Sequence, residues 1–228
     1  AYMKGHVYEV ICCDLGDRKS YMLMGMDVTG GKKNWTVYSD TLIDKGNMPS
    51  TIDEESAGCT ALAGMNGNLY LTGGASKDGK KITPSAETWS CTVKSGAVWK
   101  KKANLPEGLY DGKTFAQNGK LYYVLGRNSK GLNYDVMVFD GSKWQKAGTL
   151  PKVLNTTLVQ DVFEQNLVSC AVGLDAKGIV FGGASSDGRG DTYRFNTSTG
   201  KTEALSYTLW GKGQETAAYG SSSGNRFY

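Results

Sequence analysis

A single histidine, His6, in 228 residues is the sharpest shortage in this sequence. Imidazole is the usual general base near neutral pH and the commonest metal ligand. One copy therefore excludes His-rich metal centres and several standard hydrolytic schemes. Among five cysteines no Cys-x-x-Cys occurs, which removes the usual signature of a zinc site, and no cofactor is expected. No apolar run approaches the roughly 20 residues that a membrane helix needs, and no charged segment followed by an apolar stretch marks a secretory leader. No membrane insertion is expected. The 26 basic residues exceed the 22 acidic ones only slightly and the lysines are spread along the chain. That balance argues against a nucleic-acid partner.

What is abundant is glycine, at 31 residues, together with 13 tyrosines and 5 tryptophans, while proline is held to four. Glycine supplies tight turns and aromatic side chains favour strands, so the expected fold class is all-β. With 39% hydrophobic and 21% charged residues the chain is rich enough in apolar groups to build a core.

Self-similarity orders these residues. Met65-Asn-Gly-Asn-Leu-Tyr-Leu-Thr-Gly-Gly74 is echoed by Gln117-Asn-Gly-Lys-Leu-Tyr-Tyr-Val-Leu-Gly126 and by Asp175-Ala-Lys-Gly-Ile-Val-Phe-Gly-Gly183. Each is a turn, a short apolar strand and then glycine. Tyr21-Met-Leu-Met-Gly25 offers a degenerate first copy, and Ser223-Gly-Asn-Arg-Phe-Tyr228 holds the same turn and the start of the same strand. The copies recur at roughly 50 residues, the period of one class of propeller repeat. Three prolines sit in a second register, closing Lys45-Gly-Asn-Met-Pro49, Lys102-Ala-Asn-Leu-Pro106 and Ala147-Gly-Thr-Leu-Pro151. Lacking an N–H, proline suits the exit of an edge strand. Trp99 and Trp144 each stand seven residues before their proline, and Leu42 holds that place in the first copy. Asp78-Gly79, Asn118-Gly119, Asp140-Gly141 and Asp187-Gly188 are hairpin turn signals. Thr157 to Asn166 has room for a turn or two of helix.

A turn, a strand ending in Gly-Gly, a loop, and an aromatic strand followed by Trp resembles the kelch repeat. That resemblance covers almost the whole chain and implies four-stranded antiparallel blades of a β-propeller. Gly73-Gly74 with Trp89 and Trp99 is one copy, and Gly182-Gly183 with Tyr193 and Phe195 another without the terminal Trp. The copy around Gly126 has Arg127 as its second glycine and keeps Asp135, Val138, Phe139 and Trp144. Gly25 is followed by Met26, with Trp35 and Tyr38 beyond a Thr-Gly-Gly loop. The glycines let blades approach and the aromatics fill the wedge between diverging sheets. Blades are expected at about 7–49, 57–106, 112–151 and 165–205, with 214–228 opening a fifth. Because kelch rings resemble the six- or seven-bladed kind, the chain is expected to be an incomplete ring. The remainder of a parent propeller, or a second copy of the chain, would cover its open sheets.

Several candidate sites have a plainer structural account beside them. Cys12, Cys13, Cys59 and Cys170 fall on the strand before the turn, which lines the channel of a propeller, and together with Cys91 they read as small buried hydrophobes. Arg189-Gly190-Asp191 matches an adhesion tripeptide, yet Asp191 occupies the place of Asp135 ahead of an aromatic strand. Asn34-Trp-Thr36, Asn155-Thr-Thr157 and Asn196-Thr-Ser198 are glycosylation sequons expected by chance. Lys100-Lys101-Lys102 reads as a solvated edge rather than a phosphate site. The loops after the glycine strand should share one rim, where function concentrates. Arg127, Asn128, Tyr134, Asp187 and Arg189 are the residues expected to bind there.

The expected function is a non-catalytic binding module with a protein or glycan ligand, extracellular or on a bacterial cell surface by its Tyr, Asn, Gly, Ser and Thr richness. The competing class is an enzyme on a kelch ring. Resemblance to galactose oxidase would imply a copper site with two histidines, which a chain with only His6 does not have. Resemblance to the kelch-type sialic acid mutarotases would imply an Arg and Glu pair at the channel mouth, for which Arg127 and Glu87 are the candidates.

Overall fold

The computed structural model describes residues 1–14, 19–31, 34–40, 60–78, 81–151, 158–160, 166–168, 170–183, 192–206, 222–223 and 226–227. Among them there is no helix. The first sheet is β1 (Tyr2–Met3), β2 (His6–Asp14), β3 (Lys19–Asp27) and β4 (Trp35–Asp40), paired in that order. The second begins with β5 (Ala61–Met65) and β6 (Asn68–Thr72), gives off a ribbon of β7 (Ala75–Asp78) and β8 (Lys81–Pro84), and returns through β9 (Thr88–Thr92) and β10 (Lys100–Lys101). The third repeats this plan with β11 (Lys113–Gln117), β12 (Lys120–Val124), a ribbon of β13 (Arg127–Asn128) and β14 (Gly131–Leu132), then β15 (Asp135–Phe139) and β16 (Trp144–Thr149). A hairpin, β17 (Leu158–Gln160) and β18 (Asn166–Val168), precedes the fourth sheet of β19 (Cys170–Leu174), β20 (Gly178–Gly183), β21 (Thr192–Asn196) and β22 (Lys201–Ala204). A short pair, β23 (Ser222–Ser223) and β24 (Arg226–Phe227), follows. The strands pair antiparallel, so the described chain is all-β and built of four-stranded sheets of the propeller-blade type.

The turns between first and second strands show how the repeat is written. Asn66 and Gly67 have φ of 51° and 80°, and Asn118 and Gly119 have 51° and 71°, the two left-handed residues of a tight hairpin. Lys4 and Gly5, at 51° and 80°, make the same turn between β1 and β2. This corrects the phase expected for the first copy. Its second strand is β2, with Tyr8 in the place of Tyr70 and Tyr122, and Gly25 lies on the third strand, opposite Tyr8 and Thr36. A Cβ on Gly25 would meet the rings of Tyr8 and Tyr38 at 2.8 Å, so the residue does serve close packing. Trp35 opens the fourth strand, not the third, and is 43% exposed. The Thr157 to Asn166 segment is strand where it is described: Val159 pairs with Leu167 across β17 and β18.

A second correction concerns the third blade. Leu125, at φ 59°, holds the left-handed place of Gly73 (φ 71°), and Gly126 stands where Gly74 does. Arg127 is therefore the first ribbon residue rather than a replaced glycine. The Gly73-Gly74 pair behaves as expected. Gly73 N–H donates to Glu87 C=O and Gly74 N–H to Leu109 C=O, both at 2.9 Å. A Cβ on Gly73 would collide with the Leu109 carbonyl oxygen, and one on Gly126 would lie 2.6 Å from Tyr123. The proline register is structural too: Leu105 and Leu150, each before its proline, are buried and donate N–H to Ala86 and Tyr134, the matching residues ahead of β9 and β15.

By contact density the chain divides into two compact units, Ala1–Leu132 with Phe139–Gln145, and Asn133–Val138 with Lys146–Tyr228. In the first, the second blade makes packing contacts on both faces. Leu69, Leu71, Cys91 and Trp99 pack with Met3, Tyr8 and Leu23. On the other face Tyr70 meets Phe139 edge-on at 6.1 Å, Phe139 lies 5.2 Å from Trp144, and Trp144 Nε1–H donates to the Thr88 hydroxyl at 2.9 Å. Aromatic wedges of this kind add to area burial. In the second unit Phe181 stacks on Tyr193 at 5.9 Å, and Phe195 is buried against Gly148, whose added Cβ would lie 2.5 Å from its ring.

Cys91 is a buried free thiol on β9, pushed up to about 12 by burial. Cys12 and Cys13 lie on the strand that precedes Tyr21, as expected, but the same phase shift makes it the second strand of its sheet, β2, and not the first. Cys170 is on the first strand, β19, and Cys59 lies outside the described residues.

Candidate functional site

The expected rim is built by ribbons. In the second and third blades the chain leaves the end of the second strand, runs out and back as two short strands, and re-enters as the third. Ser76 is opposite Thr83 in β7–β8, and Arg127 opposite Leu132 in β13–β14. In these two blades the loop after the glycine strand is therefore a paired ribbon where it is described. Asp78-Gly79 was the signal for the first of them, and Gly131, at φ 119°, allows the second to close.

Arg127 and Asn128 lie side by side on β13. The Arg127 backbone exchanges hydrogen bonds with Tyr110 at 2.8 and 3.0 Å, tying the ribbon to the segment that leads into the blade. Asn128 Nδ2 donates to Glu107 Oε2 at 2.9 Å, and its Oδ1 accepts from Lys130 N–H at 2.8 Å. Tyr134 follows the ribbon, half-buried, and its carbonyl is the acceptor for Leu150. Asp187 and Arg189 lie outside the described residues, as do Asp191 and the tripeptide they share. Glu107 is a rim residue that the repeat did not reveal. It precedes the third blade where no motif repeats, and only its place after Pro106 was legible.

In the second and third blades the acidic residue at the start of the third strand is engaged. Glu87 accepts from Lys101 Nζ at 2.6 Å and from Trp89 Nε1–H at 3.0 Å, and Lys101 lies 5.8 Å above the Trp89 ring. The Lys101 hydrogen bond, with that of Trp89 behind it, holds the Glu87 carboxyl below its ordinary range against a smaller opposing effect of burial. Asp135 pairs with Lys146 at 2.7 Å in the same place of the next blade. In the fourth blade Arg194 binds Asp175 through Nε at 2.6 Å and Glu203 through Nη1 at 2.8 Å. His6 stacks on Tyr8 at 5.9 Å, and its Nδ1 lies 3.2 Å from the Lys4 carbonyl oxygen. Among the described residues no three His, Cys, Asp or Glu side chains gather as a metal site would require.

No family model matches the sequence, and no curated protein matches it. Among solved structures the chain is similar to one titled "Structure of YjhT", with a TM-score of 0.58 at 16% identity, over 90% of this chain and 67% of that one. At that identity the likeness is one of fold.

Proposed function

We propose that the chain is a kelch-type propeller module that binds a protein or a glycan through its ribbon ends and carries out no reaction. One observation supports this above the others. In the second and third blades the charged groups at the recurring positions are engaged within their own blade, Glu87 with Lys101 and Trp89, Asp135 with Lys146. What varies between blades is the ribbons: in the third blade Arg127 and Asn128 lie on β13, and the Asn128 amide is fixed by Glu107 of the preceding loop. Loops fixed on a rigid scaffold are the ordinary place for recognition. A location outside the cell or on a bacterial surface belongs to the same proposal and rests on composition.

The enzyme alternative, a carbohydrate epimerase using Arg127 and Glu87, asks for a carboxylate able to exchange protons. Both oxygens of Glu87 already accept, one from a lysine and one from an indole. The test is an array of immobilised glycans and peptides probed with the whole chain and with an Arg127→Ala, Asn128→Ala variant of unchanged melting temperature. Binding that the variant loses supports the module. Equal binding by the variant moves the site off the ribbons, and accelerated interconversion of sugar anomers by the unaltered chain, lost in Arg127→Ala, overturns the non-catalytic reading.

A further inference from the structure

We propose that the second blade carries an anion-binding groove, lined by Lys94, Lys100 and Lys102, that takes an acidic oligosaccharide. The groove lies on one face of the sheet formed by β6, β9 and β10, with the β9–β10 connection as its far wall, and has a volume of about 490 Å³. That is within the range of small-ligand sites. Pairing places its residues in rows: Tyr70 opposite Ser90 opposite Lys100, and Asn68 opposite Thr92. Because side chains alternate across a strand, the triplet Lys100-Lys101-Lys102 is divided between two faces. Lys101 points to the face of Trp89 and is neutralised by Glu87. Lys100 and Lys102 point to the groove, where Lys94 joins them.

Three lysines thus line one cleft, and among the described residues its wall holds no carboxylate and none of the three is paired with an acid. Their mutual repulsion is relieved by an anion, and a ligand with several anionic groups relieves it most. The rest of the lining fits a sugar better than a base. Ser90, Thr92 and Asn68 supply hydroxyl and amide groups, with the Thr92 hydroxyl already donating to Asn68 Oδ1 at 2.7 Å. Val98, 53% exposed, supplies an apolar patch for a ring face. Single-stranded nucleic acid is held by stacking on exposed aromatic rings, and among the described residues the groove has a single aromatic, Tyr70, buried against Phe139.

The groove sits at the Asn68 end of β6, whereas the ribbon leaves from the Thr72 end, so this proposal stands apart from the ribbon reading. Calorimetric titration of the whole chain with a sulfated oligosaccharide, an oligogalacturonate, a neutral dextran of matched length and a thymidine oligomer tests it. The two acidic sugars should bind and the neutral one should not. A Lys94→Gln, Lys100→Gln, Lys102→Gln variant should lose roughly tenfold in affinity and show a shallower dependence on salt, since fewer counterions are released. A control of equal net charge, Lys120→Gln, Lys143→Gln, Lys201→Gln, should stay within about twofold. If the triple variant melts early, the three single exchanges are titrated in its place. An equal loss in the control, no binding of either acidic sugar, or loss only in the Arg127→Ala, Asn128→Ala variant overturns the groove. Tighter binding of the thymidine oligomer than of both sugars replaces the oligosaccharide with nucleic acid.

Discussion

Gly73 and Gly119 share a left-handed φ of 71° yet differ in what surrounds them. Around Gly119 an added Cβ meets nothing within 4 Å, and around Gly73 it meets the Leu109 carbonyl. Gly119→Ala should therefore cost only the backbone strain, about 1 kcal/mol. Gly73→Val adds a displaced peptide and should cost roughly 2 to 4 kcal/mol. Urea titrations of the two variants give the comparison, and equal losses would remove the close-approach argument. Cys91, by contrast, is defined by burial. With its thiol pushed up to about 12, almost no thiolate exists near neutral pH, and only the thiolate is nucleophilic. Native alkylation followed by mass spectrometry should leave Cys91 unmarked until denaturant is added, whereas rapid labelling would place it outside the core.

Between elements, the Trp144 side chain is the joint of the second and third blades. Trp144→Phe keeps a ring beside Phe139 and drops the bond to Thr88, a loss of about 1 kcal/mol. Trp144→Ala also opens a cavity and should lose roughly 3 to 5 kcal/mol. Near-equal losses would show that the indole N–H, not the ring, carries the contact. These joints were legible in the sequence because tryptophan and proline keep their spacing. The phase of the first blade was not. Its turn is Lys4-Gly5, and lysine rarely adopts φ above zero, so composition hid a turn whose backbone is the same as that of Asn66-Gly67. The ribbons were half legible, since Asp78-Gly79 named a turn without naming its strands. The lysine groove escaped because a run of three lysines looks alike on either face, and only the pairing of β10 with β9 tells which side chains share a side.

At the scale of the whole molecule, four carboxyl groups tie stability to acid pH. Hydrogen bonds from Thr29 lower the Asp27 carboxyl, the Lys101 hydrogen bond lowers Glu87, and backbone and side-chain hydrogen bonds from Lys143 and Ser142 take Asp140 to about 2. Asp175 is lowered as well, Arg194 and the backbone of Lys177 and Gly178 outweighing burial. A carboxyl depressed in the folded state contributes stability that is complete above its unfolded value, about 4, and is lost as pH falls through the folded value. The urea midpoint should accordingly hold between pH 6 and 8 as far as these groups decide it, and fall between about pH 4 and 2. Asp140→Asn should make that fall shallower, and a midpoint that stays level down to pH 2.5 would refute the assignment. Leu125 keeps the left-handed backbone of Gly73 while burying a leucine side chain, so the blade survives the loss of the letter by which the repeat is spelled. A search profile weighted on the glycine pair passes over this blade, and one weighted on the preceding hairpin and its Leu-Tyr strand detects it.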